Sequence, residues 1–394
     1  MQETKGICND STNKYNTIIS EYVERFKPIK DPLLFRSPGR INLIGEHTDY
    51  NDGFVMPAAI DKTVEVAIGL REDEEIHLFS QEFHDAFSIP IVDIQPVKGW
   101  PTYVLGVVNE FKKKGLPIHG FNMMLYSDVP IGAGLSSSAA VECATAFAIN
   151  ELFRFSIPRM ELVKMAQNAE HEYAFVKCGI MDQFASMFGK KNNAISLDCR
   201  TLEYEYFPLR MEDTKIILLD TQVKHSLSSS EYNIRRSQCE EGVAAINKKY
   251  PSVKKLRDVN PYMLQECLAK DSILYNRCLY VIEENNRLKA ACQDLLNSNL
   301  KGFGKKMFST HKGLSELYEV SCHELDFLVD AVKTNSDVLG ARMMGGGFGG
   351  CTINIVKKSA VDTLIENISV KYEQAMNKKL NAYVVQIENG TTKF

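Results

Sequence analysis

Glycine and serine residues are concentrated between Val129 and Ala139, where an apolar strand-like run meets a long helical stretch. We call the core of this segment the serine loop; it consists of Gly132, Ala133, Gly134, Leu135, Ser136, Ser137 and Ser138. Glycines let a backbone approach a ligand closely, and the free N–H groups of a helix start bind phosphate. Serine hydroxyls add hydrogen bonds, and one of them can ligate magnesium. The Gly-Lys-Ser/Thr ending of a Walker A loop is missing. Because serine is also a common helix N-cap, the pattern alone leaves phosphate binding and simple capping open.

Four polar residues follow an apolar strand that ends at Gly45. We call Glu46, His47, Thr48 and Asp49 the polar segment. Glu46, His47 and Asp49 offer donors and acceptors on the scale of a polyhydroxylated ligand, and a sugar is the obvious candidate. A surface turn and a His/Asp metal site are the alternatives. The metal site is disfavoured because the other histidines show no helpful spacing, although folding can bring His84 near.

A single carboxylate, Asp182, stands at the start of a predicted helix in the apolar run Gly179-Ile180-Met181-Asp182-Gln183-Phe184. It is either a partner of the helix N-terminus or a catalytic carboxylate. Glu170 lies twelve positions earlier on the preceding helical stretch and is able to supply an oxygen to a metal. Most isolated glutamates on helices are simply solvated, so the residue pattern alone does not assign Glu170 this role.

Five of the six residues from Gly345 to Gly350, which we call the glycine loop, are glycine. A hairpin turn needs only one or two glycines. Five of them loosen the backbone greatly, so we expect this loop to pack against a ligand or another loop in a cleft.

The elements that must hold these residues alternate irregularly along the chain. An amphipathic helix with Ile18, Tyr22 and Phe26 on one face is predicted to end before Pro28. Strands are predicted at 33–36, 41–44, 64–70, 76–80, 121–127, 194–198, 215–220, near Arg342, and at 351–356 and 382–387, with turns at Pro38-Gly39 and Asn51-Asp52-Gly53. Helices are predicted at 137–152, 159–175, 183–188 and 360–376, with dominantly helical character from Glu231 to Val332. We therefore expect an α+β fold, divided near residues 205–215.

Length and composition are those of a globular protein. The 394 residues are 44% hydrophobic and 24% charged, with a net charge of −4, which excludes a disordered or low-complexity chain. No basic excess favours nucleic-acid or membrane binding, and apolar runs fall short of the roughly 20 residues of a membrane span. The ten cysteines are scattered without a C-x-x-C pair, and residues 1–16 lack an apolar signal region. We expect a cytoplasmic protein with reduced thiols.

These segments together resemble the GHMP kinase superfamily and, within it, the galactokinase family, over nearly the whole chain from about Pro32 to Ile387. The run Arg40–Asn51, which contains Gly-Glu-His-Thr-Asp-Tyr-Asn intact, resembles the galactokinase signature. Gly132 to Ala140 resembles the phosphate loop of the superfamily, and Met344 to Cys351 resembles its third motif. The resemblance implies two domains, 1–210 with a ribosomal-S5-like arrangement and 211–394 with an α/β arrangement, and an active site in the cleft between them.

Residue roles follow from the same resemblance. Asp182 matches the catalytic carboxylate, and Arg40 matches the cation beside the transferred phosphoryl group. The substrate-binding positions are the polar segment (Glu46, His47, Thr48, Asp49), Gly179 and Tyr232. The serine loop matches the ATP-binding positions, and Ser80 is expected to contact the nucleotide although no distinctive motif surrounds it. Ser138 and Glu170 match the residues that hold magnesium.

The implied activity is ATP-dependent phosphorylation of galactose at its anomeric hydroxyl. Another sugar 1-kinase, for N-acetylgalactosamine for example, is one alternative, because the space around the sugar 2-position cannot be inferred from the residues. A non-catalytic sensor of galactose and ATP is the other. The implied ligands are galactose, ATP and magnesium; no nucleic acid or membrane partner is expected, and the oligomeric state stays open, with a monomer plausible.

Overall fold

The computed structural model describes residues 4–28, 30–223 and 228–394, and the side chains of residues 14–28, 30–223 and 230–394. Three sheets and eleven α-helices make up the described part of the chain. The strands are β1 (Leu33–Asn42), β2 (Phe54–Val55), β3 (Pro57–Leu70), β4 (Glu75–Ser80), β5 (Asp85–Pro90), β6 (Phe121–Ser127), β7 (Asn193–Asp198), β8 (Tyr204–Pro208), β9 (Thr214–Asp220), β10 (Val338–Met343), β11 (Cys351–Lys357), β12 (Asn381–Val385) and β13 (Thr392–Lys393). The helices are α1 (Thr4–Phe26), α2 (Pro101–Lys113), α3 (Ser137–Leu152), α4 (Arg159–Ala169), α5 (Met181–Phe188), α6 (Ser228–Asn247), α7 (Pro261–Cys267), α8 (Ile273–Leu296), α9 (Leu300–Lys312), α10 (His323–Lys333) and α11 (Val361–Met376).

A six-stranded sheet organises the first half of the chain, in the order β13-β1-β3-β6-β4-β5. Its strands pair antiparallel except for β4 and β6. Helices α2 to α5 cover one face, and α1 covers the other with Ile18 and Tyr22. Because both faces are covered, β3 and β6 are buried almost continuously.

The second half contains a four-stranded antiparallel sheet, in the order β10-β11-β9-β12. Helices α10 and α11 pack on it around Val329, Ile368 and Tyr372. A separate apolar cluster joins α6, α7 and α8. A small third sheet, β2-β7-β8, lies between, and the last strand, β13, returns to pair with β1. The division at 210/211 therefore stays a prediction.

The α+β class and most predicted elements are confirmed, but the turn predicted at Pro38-Gly39 is wrong. Strand β1 runs through both residues with a register shift between Pro38 and Arg40. Proline is tolerated at such an irregularity because its missing N–H need not pair. A Cβ at Gly39 would lie 2.8 Å from the Leu135 carbonyl oxygen, so only glycine lets the strand lie this close to the serine loop. The Arg40 N–H donates to that same oxygen at 3.1 Å. The continuous strand thus carries Arg40 to the serine loop.

Smaller differences concern element ends. The helix predicted at 159–175 ends as α4 at Ala169 and continues as a π-helical turn, Glu170–Ala174. Strand β12 ends at Val385, and Ile387 forms only an isolated bridge with Ile60. Strands β2, β5, β8 and β13 and helix α2 were not among the predicted elements. Among the described residues, no helix combines the length and apolar character that crossing a bilayer requires.

Candidate active site

A cleft of about 530 Å³ lies where the serine loop, the polar segment and the glycine loop meet. The two glycine-containing loops pack against each other, since a Cβ at Gly345 would lie 3.3 Å from the Gly134 carbonyl oxygen. The expectation that the glycine loop packs against another loop in a cleft is therefore confirmed. Side chains from both halves of the chain, including Asp182 and Tyr232, line the same space.

Asp182 and Arg40 form a bidentate ion pair at the base of this cleft. Arg40 Nε and Nη2 donate to the two Asp182 carboxylate oxygens at 2.8 and 2.7 Å, and Arg40 Nη1 donates to the Gly134 carbonyl at 2.6 Å. Burial opposes the charge of Arg40, but the carboxylates of Asp182, Glu46 and Asp49 outweigh burial and raise its pKa. The pair fixes the Asp182 carboxylate in one orientation, facing the cleft.

Ser136 occupies the N-cap position of α3 but does not cap the helix. Its backbone is left-handed (φ 57°), and its hydroxyl donates to Asp182 Oδ2 instead of accepting from the helix. The amide groups of the first turn of α3 are thus not capped by Ser136 and can meet an anion. Of the two readings of the serine loop, this geometry favours phosphate binding.

The polar segment contributes three cleft-lining side chains. Glu46 is buried, and its Oε1 accepts from Arg342 Nη2 at 3.0 Å and from the Gly345 N–H at 2.7 Å. His47 Nδ1 lies 2.7 Å from the Tyr50 hydroxyl, and His47 Nε2 lies 3.2 Å from the Gly346 carbonyl oxygen. Because a carbonyl only accepts, we assign the ring proton to Nε2. Burial lowers the pKa of His47 to about 4, so the ring is neutral at neutral pH.

Asp49 lies directly against the backbone of Gly179. A Cβ at Gly179 would lie 1.8 Å from Asp49 Oδ2, so glycine is required there for steric reasons. Asp49 Oδ1 accepts from the Tyr50 N–H at 3.0 Å. Burial raises the pKa of Asp49 to about 7, and the nearby Asp182 charge adds to this effect. Tyr232 completes this side, with its ring 5.2 Å from the His47 ring.

Three residues named from the sequence lie outside this cleft. Thr48 is buried, and its hydroxyl donates to the Gly45 and Phe54 carbonyls at 2.9 and 2.6 Å, which closes the turn after the polar segment. Ala133, although part of the serine loop, is buried and does not line the cleft. Ser80 lines a neighbouring cavity of about 650 Å³ that shares Tyr103, Ser137 and Ser138 with the cleft. A substrate contact for Thr48 thus has no support in this geometry, because its hydroxyl already serves two carbonyls.

Ser138 and Glu170 meet at the junction of the two cavities. The Ser138 hydroxyl donates to Glu170 Oε1 at 3.1 Å, and Glu170 belongs to the π-helical turn that follows α4. Burial raises the pKa of Glu170 to about 6, with the Asp182 charge contributing. Within the described residues no group of three or more His, Cys, Asp or Glu side chains is placed to hold a metal. One carboxylate and one hydroxyl nevertheless fit magnesium, which prefers oxygen ligands and takes most of them from water and substrate phosphates.

Several residues that hold the polar segment were not predicted from the sequence. Arg342 is fully buried and donates to the Asn42 and Leu43 carbonyls as well as to Glu46. On α8, the Tyr280 hydroxyl donates to the Glu46 carbonyl at 3.0 Å, and Glu284 Oε1 accepts from the Gly45 N–H at 2.8 Å. Arg and Glu in apolar surroundings are a sequence signal of buried pairing, but their partners lie more than 230 residues away.

Comparisons with known proteins agree with this arrangement. Residues 20–70 match the galactokinase galactose-binding signature, residues 102–190 the GHMP kinases N terminal domain, and residues 289–374 the GHMP kinases C terminal domain. A galactokinase of Thermotoga maritima is 44% identical over 91% of this chain and 99% of its own length. A galactokinase of Clostridium acetobutylicum is 39% identical over 98% of this chain and 99% of its own length.

A solved structure is similar to this chain over nearly its full length. Lactococcus lactis galactokinase complexed with galactose matches 96% of this chain and 100% of its own, with a TM-score of 0.92 and 34% identity. The two-domain α+β kinase fold expected from the sequence is thereby confirmed. With the signature, the identity and the fold in agreement over nearly its full length, this chain belongs to the galactokinase family of the GHMP kinases.

Proposed function

We propose that this chain is an ATP-dependent sugar kinase that phosphorylates galactose at its anomeric hydroxyl, giving α-D-galactose 1-phosphate. The observation that carries the proposal is the Arg40–Asp182 pair, which lies between a loop suited to phosphate and a segment suited to sugar hydroxyls. Galactokinases 39–44% identical over at least 91% of the chain support the same activity.

The polar segment forms the sugar side of the cleft. Glu46, Asp49 and Tyr232 line this side, and Asp49 lies against the Gly179 backbone. Charged acceptors held in place by Arg342 and Tyr50 suit the several hydroxyls of a hexose, each of which needs a partner when it is buried. His47 is neutral and already bonded at both ring nitrogens, so in this arrangement it supports Tyr50 and the glycine loop.

The 650 Å³ cavity forms the nucleotide side. Its wall is largely apolar, with Trp100 and the strongly exposed Phe175 at its edge, and Ser80 contributes a polar group. An aromatic base fits such a wall, and the cavity opens at Ser137 and Ser138 onto the N-terminus of α3. ATP bound with its base here would extend its phosphates along the serine loop toward Arg40.

Ser138 and Glu170 would hold magnesium at the point where the phosphates enter the cleft. When bound, the ion neutralises charge on the phosphates and helps to orient them. The chain itself supplies the serine-loop amides and the Arg40 guanidinium, which stabilise negative charge on the transferring group.

Asp182 acts as the proton acceptor. Its carboxylate, oriented by Arg40 and Ser136, takes the proton of the anomeric hydroxyl while that oxygen attacks the γ-phosphorus and ADP leaves. Phosphoryl transfer depends on positioning and electrostatic stabilisation more than on covalent chemistry, and this site is built for both.

Neither alternative activity has a specific observation in its favour. A non-catalytic sensor would not require the bidentate Arg40–Asp182 pair, and N-acetylgalactosamine would need space beside the sugar 2-position that no contact identifies. We also place the enzyme in the cytoplasm, since the nine cysteines with described side chains are free thiols, as is typical of a reducing compartment.

The test is a coupled kinase assay with ATP and magnesium against galactose, N-acetylgalactosamine, glucose and arabinose. We expect the highest kcat/KM for galactose and a product phosphorylated on the anomeric oxygen, which phosphorus NMR identifies. A higher kcat/KM for N-acetylgalactosamine would mean that N-acetylgalactosamine, and not galactose, is the preferred substrate. Sugar binding without turnover of any of the four sugars would contradict the kinase activity and favour a non-catalytic sensor.

A further inference from the structure

Gln183 follows the proton acceptor Asp182 on α5, and its side chain is completely buried. Its amide nitrogen donates to two carboxylates, Glu170 Oε2 at 2.6 Å and Glu142 Oε2 at 3.0 Å. Both hydrogens of the amide are thereby used. A flipped amide would place its oxygen against Glu170 Oε2, which also accepts a hydrogen bond from the Cys178 thiol, so the contact with Glu170 fixes the orientation of the amide.

The two oxygens of Glu170 are consequently in different environments. Oε2 is held by Gln183 and by the Cys178 thiol at 3.4 Å, whereas Oε1 faces Ser138 at 3.1 Å, where the two cavities join. Because the carboxylate is fixed through Oε2, its Oε1 stays aimed at the place where a magnesium ion and the phosphates would meet.

Glu142 lies on α3, the helix that begins at the serine loop, and is fully buried. Within the described residues its Oε1 and the Gln183 Oε1 have no hydrogen-bond partner. A polar pair left partly unsatisfied in the interior destabilises the fold, so packing alone does not explain it. The pairing of Glu142 with Gln183 is explained if its role is to keep the Gln183 nitrogen directed toward Glu170.

We propose that Gln183 is a positioning residue for the magnesium ligand Glu170, and that Glu142 holds the Gln183 amide in the required orientation. The inference rests on the proposed function, because it assumes that Glu170 ligates magnesium during the kinase reaction. It places the proton acceptor and the residue that orients the metal ligand on adjacent positions of one helix, so α5 sets both at once. Groups that orient a metal ligand typically change metal affinity about 10- to 100-fold when they are removed.

The test measures the affinity of a non-hydrolysable ATP analogue by calorimetry, first with EDTA and then with saturating magnesium. The ratio of the two affinities is the magnesium coupling factor. In Gln183→Met, which keeps the length of the side chain without its donors, we expect this factor to fall about 10-fold or more. The affinities for galactose and for the analogue in EDTA should stay within about twofold of wild type, because neither involves Glu170.

Two further variants control the experiment. Ser186→Ala alters a buried hydroxyl without a partner one turn along α5, and should leave the coupling factor unchanged. Glu142→Met frees the Gln183 amide by replacing a buried carboxyl with an apolar side chain of similar size, which a protein core tolerates well. We expect it to fold and to lower the factor by a smaller amount, so it decides the matter if Gln183→Met does not fold.

The outcomes separate the inference from the function on which it rests. A coupling factor near the wild-type value in folded Gln183→Met, or in Glu142→Met when the former does not fold, overturns the positioning role. A parallel loss of galactose affinity and of analogue affinity in EDTA would also overturn it, because that pattern indicates general damage to the site. Absence of any magnesium coupling in the wild type would instead contradict the proposed metal-dependent function.

Discussion

At the residue scale, the environment of Asp182 decides what this carboxylate can do. Three donors, two from Arg40 and one from Ser136, converge on its oxygens, and it stands in the first turn of α5. A residue that only supported the helix terminus would not need a bidentate arginine from a strand, 142 positions away in the chain. The geometry is that of a group held ready to react.

Replacing Asp182 by asparagine preserves the shape and removes the basicity. We expect kcat to fall about 10²- to 10⁴-fold, the usual contribution of a general base, while galactose binding persists. Measuring kcat, galactose affinity and melting temperature on one preparation checks this. A variant with nearly normal kcat, whatever its stability, would exclude Asp182 as the proton acceptor.

The raised pKa of Asp49 predicts that galactose binding depends on pH. With its pKa raised to about 7, its carboxylate becomes protonated as pH falls from about 8 to about 6 and loses an acceptor for sugar hydroxyls. The dissociation constant for galactose without nucleotide should therefore rise over this range. His47, with a pKa of about 4, stays neutral throughout. Calorimetry on the wild type and on Asp49→Asn checks the assignment, since the variant should bind weakly and show no such rise.

Linkage gives the stability of the unliganded enzyme the opposite dependence on pH. Folded Asp49 binds a proton between its ordinary pKa of 3.8 and about 7, where the unfolded chain does not. Its contribution to the free energy of unfolding therefore increases as pH falls through this window. Weaker galactose binding without loss of stability would identify Asp49 and exclude acid unfolding as the cause. A galactose affinity that does not change with pH would contradict the prediction.

At the scale of elements, helix α8 positions a loop that belongs to the other half of the chain. Besides Tyr280 and Glu284, its Asn285 side chain accepts from the Phe54 N–H at 2.9 Å. Tyr280 lies about one turn before the adjacent residues Glu284 and Asn285, and the three residues hold the backbone of the polar segment and of its two flanks. The sugar side of the cleft is thus set by a helix that does not line it.

Removing the Tyr280 hydroxyl tests this support. Tyr280→Phe leaves the buried Glu46 carbonyl without its donor, and an unsatisfied buried group costs about 1–3 kcal/mol. We expect the KM for galactose to rise severalfold while the KM for ATP stays unchanged. Tyr275→Phe, which deletes the same group nearer the start of α8, is the matched control. Equal changes in both Michaelis constants would show that α8 does not act selectively on the sugar side.

The elements of the site were easier to predict than their connections. Local patterns predicted α3, α5 and the two ends of β1, because hydrophobic spacing and the positions of glycine are properties of short segments. The Pro38-Gly39 pair gave a wrong prediction of a turn, because contact with Leu135 keeps this segment in a strand. The roles of Arg342 and Glu284 were not predicted because their partners lie hundreds of residues away, and such long-range pairing produces no local pattern in the sequence.

At the scale of the whole molecule, the cleft exists only because both halves of the chain close around it. Asp182 and the serine loop come from the first half, whereas Tyr232 and the glycine loop come from the second. The Arg342–Glu46 pair and the contact between the two loops connect the halves within the site itself. Binding of galactose and nucleotide across such a cleft should stabilise the folded chain by mass action.

The C-terminal residues fasten the second half to the first. Strand β13 pairs with β1 beside Phe35 and Arg36, and the buried Thr391 bonds through its hydroxyl to Ser37 at 2.8 Å and to the Ser186 carbonyl at 2.9 Å. Its own carbonyl accepts from Arg159 at 2.8 Å. These contacts brace β1 and α5, which carry Arg40 and Asp182, through residues that do not line the cleft.

Deleting residues 390–394 should therefore weaken both the fold and the site. Each lost hydrogen bond contributes about 0.5–1.5 kcal/mol net, so we expect the free energy of unfolding to fall by several kcal/mol and kcat to fall with it. Thr391→Val keeps the shape but removes the hydroxyl, and should cost about 1–3 kcal/mol. Urea unfolding of the two variants and the wild type, with and without galactose, checks this order. An unfolding midpoint that the deletion leaves unchanged would mean that the tail only lies against the first sheet and does not hold the two halves together.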